Sequence, residues 1–85
     1  MARGILIFDP QHQEWRVWIG QRAYWIDQGY SFELRIQHKY FQAILEKDID
    51  WFVTLDYDAS FVLHIHEVYK VRINKQDFMP VDSPF

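Results

Sequence analysis

Two histidines separated by one residue, His64-Ile65-His66, have the type and spacing that metal chemistry asks for. On an extended strand alternate side chains share a face, so both imidazoles would point the same way. A tight hairpin at Asp58-Ala59-Ser60 would set Thr54 about opposite His64 and leave Asp56 as a diagonal neighbour. Asp56, His64 and His66 would then form a set that zinc or another divalent ion accepts. The plainer reading is preferred: the histidines cover the solvent side of a strand whose other side packs Phe61, Leu63 and Ile65. No metal or cofactor is expected.

The carboxylates invite a general acid–base reading, and geometry argues against it. Asp48 and Asp50 precede the run 51–57, and Asp56 and Asp58 close it. About six extended residues at ~3.3 Å each hold the two pairs roughly 20 Å apart, whereas paired glycosidase carboxylates lie within about 5–10 Å. Asp also suits turns for local reasons. There is no cysteine, and Ser31, Ser60 and Ser83 fall at strand ends or in the tail, outside any Gly-x-Ser-x-Gly elbow. Three glycines cannot build a phosphate cradle. The chain is expected not to be an enzyme.

Aromatic residues carry more information. Phe, Trp and Tyr make up 19% of the chain, more than one small core requires when each ring buries roughly 150–250 Å². Gly20-Gln21 fits a two-residue hairpin loop with glycine first. In that register Trp18 faces Ala23 and Arg16 faces Trp25, so Arg16, Trp18 and Trp25 share one face. Trp15, Val17, Tyr24 and Ile26 share the other. One face joins the core; the first is left for strand 4–8, the tail, a second copy or a partner. Trp and Arg are enriched at binding hot spots, so Arg16, Trp18 and Trp25 are the candidate partner-binding residues. The alternative is a nucleic-acid-binding small barrel using a basic strip of Arg16, Arg22, Arg35 and Lys39 with stacking rings.

The elements that must position these residues repeat with a period of two. Phe32, Leu34 and Ile36 alternate with polar neighbours, and Trp51, Val53, Leu55 and Tyr57 do the same. Turn residues separate the runs at Pro10–Gln13, Gly20-Gln21, Asp27–Gly29, Asp48–Asp50 and Asp58–Ser60. Strands are predicted near 4–8, 14–19, 22–27, 30–37, 40–46, 51–57, 61–66 and 71–74. Only Tyr40–Lys47 competes as a helix, and it is about two turns long. Without crossover helices the strands pair antiparallel. The expected fold is all-β: a small, strongly bent antiparallel sheet or a partly open SH3-like barrel with an extra N-terminal hairpin. Residues 1–75 form one domain, and 76–85, with two of the three prolines, a loose tail.

The spaced set Gly29-Tyr30, Leu34, Phe41-Gln42-Ala43-Ile44-Leu45, Trp51, Leu55-Asp56-Tyr57-Asp58 and Val71-Arg72-Ile73 resembles a small bacterial family catalogued as domain of unknown function 5348. The resemblance covers about residues 29–73. It implies no known activity, and it implies an association with mobile elements. One departure stands out: the family usually has a glycine in the turn where this chain reads Gln37-His38-Lys39.

The formal net charge is −3, which disfavours a nucleic-acid clamp, since such domains usually carry a positive excess. Basic residues nonetheless concentrate in the first half, where Arg3, Arg16, Arg22, Arg35 and Lys39 face four acids. The absence of cysteine suits a reducing compartment. The apolar run Ile5–Phe8 is too short for a secretory or spanning segment, so a cytoplasmic location is expected. A protein partner or self-association is the expected mode of action, with no membrane and no small-molecule substrate.

Overall fold

The computed structural model describes residues 1–56 and 59–78. Eight strands form one antiparallel sheet: β1 (Ala2–Asp9), β2 (Glu14–Ile19), β3 (Arg22–Ile26), β4 (Ser31–Ile36), β5 (Lys39–Lys47), β6 (Trp51–Leu55), β7 (Ser60–Val62) and β8 (Tyr69–Ile73). A short 3-10 turn, Lys75–Phe78, follows. The spatial order is β3-β2-β1-β8-β4-β5-β6-β7. Two meanders, β1–β3 and β4–β7, are thus joined by β8, which follows both in sequence. The sheet is open, with β3 and β7 at its edges, and does not close into a barrel. Of the two predicted architectures it is the strongly bent sheet.

Alternation decides what is inside. Leu6, Trp15, Val17, Ile26, Phe32, Leu34, Ala43, Leu45, Val53, Val71 and Ile73 are fully buried and all lie on one face. Burying each large apolar side chain contributes roughly 1.5–3 kcal/mol. Among the described residues no second layer covers this face, so the sheet curls over itself. Phe61 of β7 and Trp15 of β2 come within 6.2 and 6.0 Å of the Tyr69 ring of β8, although β7 and β8 are four strands apart in the sheet. The Tyr69 hydroxyl also accepts the His64 N–H at 2.8 Å, tying the β7 exit to β8. Burial raises the Tyr69 phenol above its usual range, with the His64 bond opposing and Glu67 adding to the shift.

The turns follow the residues available. Gly20 takes φ 62° at the first loop position between Ile19 and Arg22, as predicted. The loop between Ile36 and Lys39 makes the same left-handed demand, and Gln37 meets it with φ 59°. Asp9 organises the β1–β2 turn: its carboxylate accepts the N–H of Gln11 at 2.9 Å and of His12 at 3.2 Å. Gly4 is required for a different reason, because a Cβ there would lie 2.6 Å from the Trp18 carbonyl oxygen. After β3, Gly29 and Tyr30 exchange hydrogen bonds with Leu45, carrying the chain across to the second meander.

Residues 40–46 form a strand as predicted, within β5, and the competing helix is not formed. Other expectations need correction. The strand expected at 61–66 ends at Val62, and His64–His66 enter a turn closed by the Glu67 N–H on the His64 carbonyl. Strand 4–8 does not lie over the Arg16/Trp18/Trp25 face; it pairs beside β2 and extends that face. Tyr57, Asp58 and residues 79–85, including Ser83 and most of the expected loose tail, lie outside the described residues. Among those described, no helix is long and apolar enough to cross a membrane.

Candidate functional site on the outer face of the sheet

The face opposite the core carries the candidate residues. The predicted hairpin register holds: Arg16 pairs with Trp25, and Trp18 with Ala23. Ile7 and Ile5 of β1 continue the two rows. The Arg16 guanidinium lies 4.8 Å from the Trp25 ring centroid and 5.8 Å from that of Trp18, within range of a cation–π attraction. Trp25, on the open edge, remains 44% exposed. Among the described residues no other strand is laid over this face.

Asp9, which the motif search did not single out, fixes this cluster. It is 8% exposed and accepts a hydrogen bond from Arg16 Nη2 at 2.5 Å, and His12 Nδ1 lies 3.1 Å from the same oxygen. His12 in turn sits 5.0 Å from the Trp25 ring. Burial alone would raise the Asp9 carboxyl, but the His12 N–H and ring, the Gln11 N–H and the Arg16 charge together hold it below its usual range. An Asp-Pro turn seven residues before an arginine was the signal that could have found it.

The second cation set divides. Arg16 and Arg35 lie on the outer face, whereas alternation puts Arg22 and Lys39 on the core-bearing face, exposed at its rim. They do not form one strip. Instead Arg35 converges with two cations outside that set, Arg3 and Lys70. Together with Ile5, Trp18 and Tyr40 they line an open hollow of about 420 Å³ where β1, β8 and β4 meet. Arg35 Nε donates to the Gln37 carbonyl at 3.0 Å. Among the described residues neither Arg3 nor Lys70 meets a carboxylate. Beside the hollow, Arg72 lies 3.9 Å from the Tyr40 ring centroid and 2.6 Å from Glu33 Oε1.

The metal candidates are not assembled as predicted. Thr54 pairs with Ser60 rather than His64, so Asp56 loses its diagonal relation to the histidines, and His64 and His66 no longer share a strand face. Among the described residues no group of three His, Asp or Glu side chains is placed to hold an ion. Asp48 and Asp50 lie exposed before β6 and Asp56 exposed after it.

The profile of the family described as Domain of unknown function (DUF5348) matches residues 4–73. The chain belongs to that family. The DUF5348 match runs back through β1–β3, beyond the segment 29–73 that carried the resemblance, and stops where β8 ends. The N-terminal strands are therefore part of the family domain and not an addition to it. The turn joining β4 to β5 is held by left-handed Gln37. No curated protein and no solved structure matches the chain.

Proposed function

We propose that this DUF5348 protein is a small non-enzymatic interaction module that binds a protein partner through Arg16, Trp18 and Trp25. The observation that carries the reading is the exposed Trp25 ring on an edge strand, with Arg16 held against it by a buried carboxylate. A ring so placed is preorganised, and a partner covering it forfeits little side-chain freedom. The open edge of β3 suits a partner that adds an extended segment beside Arg22–Ile26. On this reading it is a bacterial accessory protein of a mobile element, as the sequence resemblance implies, and the absence of cysteine suits the cytoplasm.

Affinity capture from the native cell, run beside a Trp18→Ala/Trp25→Ala variant, tests this. The partner should be retained by the parent chain, lost by the variant, and indifferent to salt. Proteins held equally by both would overturn the assignment. A homodimer would appear instead as doubled mass in light scattering, abolished by the same substitutions.

A further inference from the structure

The hollow at the seam of the two meanders goes beyond this reading and does not depend on Trp25. Its charge is out of character for the molecule. The chain carries a net −3, yet Arg3, Arg35 and Lys70 converge here and, among the described residues, no acidic side chain lines the hollow. Arg16 and Arg72 each spend their charge on a carboxylate within 2.6 Å; Arg3 and Lys70 do not. Converging cations without a counter-charge repel one another, and an anion with several oxygens relieves that repulsion. The remaining lining flanks the cations: Trp18 lies beyond Ile5 on the Lys70 side, and Tyr40 lies beside Arg35 on the other. Gly4 and Gly20 keep side chains away from the rim. Charge beside ring faces is the pairing of chemistries that a nucleotide presents, with phosphate at one end and a flat base at the other. The volume falls in the range of small-ligand sites.

We propose that Arg3, Arg35 and Lys70 bind the phosphate of a nucleotide whose base packs on Trp18. The nucleotide is either free or one unit of a single strand. Arg35 is the one member of the sequence-derived basic set that takes part. Arg22 and Lys39, at the rim of the opposite face, serve as controls of equal charge.

Three probes separate the sources: inorganic pyrophosphate, thymidine monophosphate and an oligothymidylate of about a dozen nucleotides. Each is titrated while the indole N–H resonance of Trp18 is followed. The oligonucleotide or the mononucleotide should shift Trp18, and Arg3→Gln/Lys70→Gln should weaken binding at least about tenfold. If a strand is the ligand, the one phosphate that the three cations neutralise predicts a log–log salt slope of about −0.7. A mononucleotide binding as well as the strand would identify the free form as the ligand. Arg22→Gln/Lys39→Gln should change affinity less than about twofold, and Trp25→Ala should leave it intact. The proposal is overturned if no nucleotide probe moves Trp18, if pyrophosphate binds as tightly as the nucleotides, or if the control pair loses as much as the test pair. Failure here leaves capture through Trp25 untouched, and failure of that capture leaves this titration untouched.

Discussion

The two meanders are built by the same alternation and end with opposite outer surfaces. On β4–β7 the outward polar groups satisfy one another: Thr54 donates to Glu46, and the Gln42 amide donates to Ser31. Their apolar neighbours Ile44 and Val62 are aliphatic. On β1–β3 and at the seam the outward groups are rings and cations, and two of the cations have no acidic partner among the described residues. Stability asks only that one face be buried. What the other face can recognise depends on whether its polar groups are already spoken for, and that separates the two regions more sharply than composition does.

The contrast can be broken at its base by Gly4→Ala. Separating β1 from β2 at the Trp18 carbonyl should cost about 2–3 kcal/mol. Urea unfolding followed through tryptophan emission measures it: Trp15, Trp18 and Trp25 report the first meander and Trp51 the second. One shared transition with unchanged slope means the meanders melt together; two transitions would make the first meander a separable unit.

Acid and alkali should act on different meanders. Asp9 has a depressed carboxyl, so its stabilisation is whole above the unfolded value and is lost as pH falls through the folded one, below about pH 4. Asp9→Asn should lower the Tm in neutral buffer and flatten the acid limb. Tyr30, at the entry to β4, is the mirror case: burial and its hydrogen bond to Asp77 push the phenol up to about 12. Its contribution is complete below about pH 10 and fades as pH rises toward that value. Tyr30→Phe should shrink the late rise of an alkaline absorbance titration by one tyrosine, the raised Tyr69 accounting for what remains; an undiminished rise would contradict the assignment.

At the seam, Arg72→Met gives up the Glu33 ion pair and the Tyr40 contact and should cost about 1 kcal/mol by denaturant melt. The smallest effect runs the other way. Gln37→Gly restores the residue that a left-handed turn prefers and should stabilise by about 0.5–1 kcal/mol; a loss would show that the Gln37 side chain compensates for its backbone.

The fold was largely legible because period-two patterning and turn residues are local signals. The Gly20-Gln21 hairpin placed Arg16 against Trp25 and Trp18 against Ala23 with no further information. Strand order was not legible, since nothing near Tyr69–Ile73 says that this segment pairs with Ala2–Leu6 on one side and Glu33-Leu34 on the other. That pairing is what brings Arg3, Arg35 and Lys70 together, so the hollow could not be read from the chain. The histidines misled for the converse reason: alternation was extended past Val62, where β7 has already ended.

The position of β8 has a consequence for how the molecule comes into being. Each meander can zip from neighbouring segments as soon as it leaves the ribosome, but the strand that sews them together is made after both. Until it arrives, Leu6 and Leu34 each lack the flank on which β8 will lie, and non-local pairing of this kind is slow. A nascent-chain force profile should therefore register its main pull only after Ile73 has cleared the exit tunnel; an equal pull before Tyr69 emerges would mean that the halves find each other unaided.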